Sequence, residues 1–179
     1  MPRRVAILVA SGFELADFEA MREILEQAGI AVPVVSAKKH EVRGWDNTDW
    51  ADSVPVEVAV LDASPADWDA VMIPGGLIAA DTLRADQHAV RLVRDALDHG
   101  IPVAAIGHAP WVLSEAGALR GRRVTSHPAI RTDLENAGAH WLDEAAVVDG
   151  AVITGRHRHD LPDLLARLMH AIGPDRVGP

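Results

Sequence analysis

The sequence predicts an α/β fold, a mostly parallel central sheet flanked by helices on both faces. Three observations carry that expectation. Short apolar runs rich in β-branched residues alternate with amphipathic stretches along the whole chain, the order that builds strand–helix–strand units. Gly or Pro bounds most of these runs, which punctuates them as separate elements. The run 103–106 breaks sharply at Ile106-Gly107-His108 into a helix-forming stretch, and such an elbow aims one position into a pocket ringed by unpaired N–H groups.

The elements follow in order. Residues 5–9 read as the first strand and 15–28 as a helix, with a second strand at 31–35. The stretch 40–51, carrying Gly44, Trp45, Asp46, Asn47 and Trp50, reads as a hairpin or surface excursion with half-buried tryptophans. Strands are expected at 56–60 and 70–73. A helix over 85–98 repeats Val90, Leu92, Val93 and Leu97 at helical spacing, and Gly100 supplies its stop. The strand 103–106 is followed by helices over 110–116 and 129–137. Residues 147–153 read as one strand bent by Asp149-Gly150, and 161–172 as the last helix, with Asp160 as its cap. One domain over 1–173 is expected, with a frayed tail at 174–179.

At 179 residues the chain is long enough to bury a sizeable core. Its 26 acidic residues outnumber 17 basic ones, for a net charge of -9. That balance argues against nucleic acid or an anionic membrane as partner. The cluster Arg120, Arg122 and Arg123 reads as a solvated turn. No apolar run approaches the ~18 residues of a membrane span. Near the N-terminus Glu14 and Asp17 interrupt the apolar stretch too early for a secretion signal, so a cytoplasmic location is expected. The chain has no cysteine. Disulfides, thiolate metal sites and cysteine catalysis are therefore excluded.

Ligands of parallel sheets gather at the carboxyl ends of the strands. Three segments should meet there: Ser11-Gly12-Phe13-Glu14, Pro74-Gly75-Gly76, and the elbow at Gly107. Gly75 and Gly76 permit close backbone approach and supply N–H donors for an anionic oxygen. Glu14 would send a carboxylate toward the elbow, where His108 follows Gly107.

These segments resemble the ThiJ/PfpI superfamily, within the flavodoxin-like, class I glutamine amidotransferase-like fold, and most of all its PfpI-type peptidase and stress-protein branch. The matching residues are Gly12-Phe13-Glu14, the stretch from Asp67 through Ile73-Pro74-Gly75-Gly76, then Leu83-Arg84 and Val103 through Trp111. Leu119-Arg120-Gly121-Arg122, Thr125-Ser126-His127-Pro128, Asn136-Ala137-Gly138-Ala139 with Trp141, Asp149-Gly150 and Asp160-Leu161-Pro162 extend it over nearly the whole chain.

The resemblance implies an elbow of the form A-I-C-H-G, with a cysteine nucleophile beside a carboxyl that matches Glu14. Here Gly107 stands at the cysteine's position. A glycine there also relieves roughly 1–3 kcal/mol of backbone strain if the elbow demands an unfavourable dihedral. A second departure follows Gly76, where relatives continue with R-A-P-E and this chain has a loop reading Leu77-Ile78-Ala79-Ala80.

By resemblance His108 helps shape the site, and His127 matches a histidine or aromatic near the elbow, although a surface turn is its plainer reading. Ser126 lacks an elbow of its own, and its hydroxyl is expected to bond to backbone. His157, His159 and Asp160 have short spacing but no defined ligand geometry, so neither metal nor cofactor is expected.

The leading expectation is a stress-response protein of this superfamily without its nucleophile, binding a small polar or carbonyl-containing ligand or a partner at the elbow. Glu14 and His108 are its candidate catalytic positions, with Gly75, Gly76, Gly107 and His127 as ligand-binding positions. One alternative is a hydratase, lyase or hydrolase with Glu14 as general base on a bound water. The other is an assembly role, as a homodimer or higher homo-oligomer, which the resemblance alone implies.

Overall fold

The structure, a computed structural model, describes residues 2–173; the tail expected to fray at 174–179 lies outside them. In chain order the strands and helices are β1 (Val5–Leu8), β2 (Phe13–Glu14), α1 (Leu15–Gln27), β3 (Val34–Ser36), β4 (Glu41–Asp46), β5 (Asp49–Pro55), β6 (Val58–Ala59), β7 (Ala70–Ile73), α2 (Leu77–Ala85), α3 (Gln87–Asp98), β8 (Val103–Ile106), α4 (Pro110–Glu115), β9 (Arg123–Val124), α5 (Arg131–Asn136), β10 (His140–Trp141), β11 (Ala146–Asp149), β12 (Val152–Gly155) and α6 (Leu161–Ile172).

The central sheet runs β11-β12-β8-β7-β1-β3-β6. Every neighbouring pair is parallel except β11 with β12. Val5 pairs with Ala70 and Ile7 with Val34, while Val71 pairs with Val103, so the strands beside the site stay in step. All residues of β1, β7 and β8 are buried. Consecutive buried positions on a strand point to opposite faces, so helices must cover both. One helical layer holds α1 against α6, and the other packs α2, α3 and α4 together. Among the described residues, no helix is long and apolar enough to cross a membrane.

Several sequence expectations need correction. The segment after Gly76 is not a loop but the start of α2, which buries Ala79, Ala80 and Leu83 and leaves Leu77 and Ile78 exposed. The helix expected at 85–98 begins two residues later. Asp86 stops α2 and caps α3, its carboxylate accepting from the His88 and Ala89 amides. The single bent strand at 147–153 is two antiparallel strands, β11 and β12, turned at Gly150 with φ +60°. Asp-Gly is a strong two-residue hairpin signal, and only glycine adopts that φ without strain.

The hairpin expected at 40–51 is longer, β4 with β5, and β2 joins it as a parallel third strand. Trp45 and Trp50 pair across it edge to face at 5.5 Å; Trp45 is half-buried and Trp50 is 40% exposed. The second strand begins only at Val34, with Ala31 making an isolated bridge to Arg4. The strand expected at 56–60 shrinks to β6 at the sheet edge. The helix expected at 129–137 starts as a 3-10 turn and becomes α5 only at Arg131. Strands β9 and β10 form a short parallel pair that sequence pattern did not reveal.

Candidate functional site

The site lies where β1, β7, β8 and β12 end. After β1 the chain turns through Gly12, whose N–H donates to the Arg43 carbonyl, and enters β2 beside β4. Phe13 is fully buried, with its ring 5.1 Å from Phe18, and anchors the turn that presents Glu14. Glu14 precedes the first turn of α1, and Asp17 sits within that turn. A three-residue separation puts both carboxyls on one side of the helix.

The Gly75-Gly76 pair fits closely against this turn. The Glu14 amide donates to the Gly75 carbonyl at 2.9 Å. A Cβ on Gly75 would lie 2.5 Å from Asp17 Oδ2. On Gly76, with φ +123°, a Cβ would lie 2.5 Å from the Gly12 carbonyl oxygen and 2.9 Å from the Glu14 nitrogen. No side chain fits there.

Gly107 forms the elbow after β8 and is buried. Its amide donates to the Gly155 carbonyl at 3.1 Å, and its carbonyl accepts from the His127 amide at 2.8 Å. Its φ of +67° belongs to the left-handed region that L side chains avoid. A Cβ there would have Gly75 Cα at 3.7 Å and the Arg156 carbonyl at 4.0 Å, ordinary contact distances. The position therefore has room for a side chain and a backbone that disfavours one.

His108 and His127 stack, with centroids 4.6 Å apart and planes 21° from parallel, and Trp111 meets His108 edge-on at 5.4 Å. His127 is thus part of the elbow and not an isolated surface turn. Its Nδ1 accepts from the Ala129 amide at 3.2 Å, which places the proton of the neutral ring on Nε2. Behind the pair, the Ser126 hydroxyl donates to the His127 carbonyl and accepts from Trp141 Nε1, both at 2.9 Å.

Glu14, Gly75, Gly76, Gly107, His108 and His127 line one cavity of about 280 Å³. Asp17, Asn47, Leu77, His157 and Arg158 line it too, and sequence reasoning missed them as site residues. For Asp17 a signal existed, the i, i+3 spacing from Glu14. Asn47 arrives from the turn between β4 and β5, and its φ of +48° marks a tight turn there. Arg158 follows the carboxyl end of β12, a location that strand order alone could have flagged.

Asp160 stands at the start of α6 but does not cap it through its side chain. Its carboxylate instead takes Arg156 Nε at 3.1 Å and Nη2 at 3.3 Å, with His157 Nδ1 at 3.3 Å. The rings of His157 and His159 meet edge to face at 5.8 Å. Among the described residues no three His, Asp or Glu side chains are disposed to hold a metal ion.

The cavity perturbs its acids and its base in opposite directions. Burial lifts the Glu14 carboxyl above the ordinary range, and Asp17 and Asp46 add to the rise while Arg158 opposes it. Asp17, almost fully buried, is lifted by burial, against Arg158 and the Gly75 amide. His108 is lowered by burial and by His127.

Folded Asp17 keeps its proton at pH values above ~3.9, where the unfolded chain has released it. Its contribution to stability therefore declines as pH rises through its folded pKa, and the ionised group costs stability beyond it. His108 acts in the other sense: below ~6.5 the unfolded chain takes up a proton that the folded chain resists, so stability is lost as the pH drops through that range. Asp17→Asn is accordingly expected to raise Tm by a few degrees at pH 8, with the gain gone near pH 4. Thermal melts at both values check this, and a variant less stable than wild type at pH 8 would contradict it.

A family model described as the DJ-1/PfpI family matches residues 3–171. A deglycase of Thermococcus kodakarensis is 36% identical over 158 residues, covering 88% of this chain and 92% of the relative. An uncharacterized protein of Staphylococcus epidermidis is 37% identical over 166 residues, covering 91% of this chain and 94% of that one. Among solved structures, a two-domain protein of Anabaena variabilis with DJ-1/ThiJ/PfpI-like and ferritin-like domains superposes with a TM-score of 0.90 at 36% identity. That match covers 99% of this chain and 50% of the Anabaena protein, so this chain spans half the length of that relative. With the doubly covered parallel sheet and the elbow at its carboxyl edge, these matches establish that the chain belongs to the DJ-1/PfpI family.

Proposed function

We propose that this chain binds a small polar or carbonyl-containing ligand in the elbow cavity and carries out no thiol chemistry there, in a stress-response setting. The observation that carries this reading is Gly107: the elbow holds a buried glycine at φ +67° in a cavity that Glu14, Asp17, His108, His127 and Arg158 also line. The acids, the histidine pair and the glycine-rich wall supply hydrogen-bonding groups, and no sulfur is present anywhere in the chain beyond its methionines. One relative is named a deglycase; only the pocket is carried over from that likeness, because Gly107 offers nothing to attack a carbonyl. The stress-response setting rests on family resemblance. A homo-oligomer belongs to the same proposal, and exposed Leu77 and Ile78 beside the cavity support it.

Titrating ¹⁵N-labelled protein with pyruvate and with hydroxyacetone tests the reading. Saturable shifts confined to the Gly76, Gly107 and His108 amides are expected with at least one probe, each probe remaining chemically unchanged. Unmoved amides with both would overturn it.

A second reading is favoured by the two lifted carboxyls opposite a histidine held neutral. With its carboxyl lifted above the ordinary range by burial, Glu14 can act as a general base on water, which makes hydration or hydrolysis of a small electrophile the alternative chemistry.

A further inference from the structure

The ligand class can be narrowed by matching the cavity's donors and acceptors. Arg158 lines the cavity, and among the described residues its guanidinium has no carboxylate within 4.0 Å and no hydrogen-bond acceptor. Among the described residues it is the only Arg or Lys in the lining. The backbone amides of Gly76 and His108 also have no protein acceptor among the described residues. One cation and two N–H groups thus belong to residues that line a cavity into which Gly107 sends no side chain, although a Cβ there would meet nothing closer than 3.7 Å.

Glu14 and Asp17 restrict what can answer them. Two nearby carboxyls repel a dianion, yet a carboxyl that holds its proton donates a short O–H···O bond to a carboxylate. A neutral carbonyl would satisfy the amides and leave the guanidinium unmatched. A planar monoanion satisfies both, and a guanidinium binds a carboxylate through two parallel bonds.

We propose that the elbow cavity is a site for a small monocarboxylate, anchored by Arg158 and by the Gly76 and His108 amides. This rests on the ligand-binding reading above and specifies its chemistry. Glu14 hydrogen-bonds the bound carboxylate, and the ligand's short chain enters the space between Gly75 and the Arg156 carbonyl.

Calorimetric titration with propionate, propionamide and inorganic phosphate, on wild type, Arg158→Gln and Arg158→Lys, tests the proposal. Propionate is expected to bind about ten-fold more tightly than propionamide, and phosphate far more weakly than either. Arg158 is exposed, so the variants should fold. Arg158→Gln should remove the advantage of propionate and leave propionamide unchanged, and Arg158→Lys should restore part of it. Equal binding of acid and amide, tight binding of phosphate, or indifference to Arg158→Gln would each overturn the proposal while leaving ligand binding intact. Failure of propionate and propionamide alike, with pyruvate and hydroxyacetone also silent, would overturn both.

Discussion

Gly76→Ala is expected to be the most damaging single-methyl substitution in this chain, with a loss of roughly 4 kcal/mol or more and no stable folded state near 37 °C. Its added Cβ would meet the Gly12 carbonyl, Phe13 Cα and the Glu14 nitrogen at 2.5, 2.8 and 2.9 Å. All three are backbone atoms, so no rotamer change relieves the contact. The φ of +123° adds a conformational penalty that only glycine escapes. Relief would require separating the β1–α1 turn from the end of β7, which breaks the bond from the Glu14 amide to the Gly75 carbonyl. Values this large arise from few mechanisms, and overpacking against backbone is one. Urea unfolding of the purified variant checks it. A loss below about 1 kcal/mol would show that the two turns are not packed as described.

Gly107→Cys should behave very differently. The new Cβ meets nothing closer than 3.7 Å, so the cost is conformational, about 1–2 kcal/mol for a side chain in the left-handed region. For a chain of this size that lowers Tm by roughly 2–8 °C. The larger effect is chemical. The thiol would enter the cavity that His108 and Arg158 also line, and a backbone amide and a guanidinium there favour a thiolate. The lifted Glu14 carboxyl would oppose the anion only in its ionised form. Alkylation by iodoacetamide at pH 7 is expected on the order of ten-fold faster than for a free cysteine. Labelling slower than the free thiol would show that this elbow no longer activates sulfur.

The parts of the fold legible in the sequence are those that bury apolar runs between glycine or proline stops, such as β1, β7, β8 and α6. Helix α2 was hidden because it starts directly after Gly76 with no side-chain cap, and because exposed Leu77 and Ile78 blur its apolar stripe. The β11–β12 hairpin was hidden because two four-residue strands around Asp149-Gly150 look like one bent strand. Boundaries moved where a polar side chain claimed a helix start, as Asp86 does for α3.

In the candidate site, Glu14, Gly75, Gly76, Gly107 and His108 could be placed together because each follows the end of a parallel strand. Asp17 was visible as a residue but not as a site group, since an acid in a first helical turn is satisfied by the helix alone. Arg158 and Asn47 come from turns whose position depends on how β12 and the β4–β5 hairpin fold over the elbow. Local pattern carries no such information. The stacking of His108 on His127 likewise depends on the bond from the His127 amide to the Gly107 carbonyl, a contact between segments twenty residues apart.

The most direct measurement is steady-state consumption of methylglyoxal by purified wild-type protein, with heat-denatured protein as the control for simple adduct formation. An elbow without a reacting atom should give loss of substrate equal to that control, for wild type and Glu14→Gln alike. Many turnovers per chain in the wild type, abolished in Glu14→Gln, would contradict the ligand-binding proposal and place the chemistry on the carboxylate.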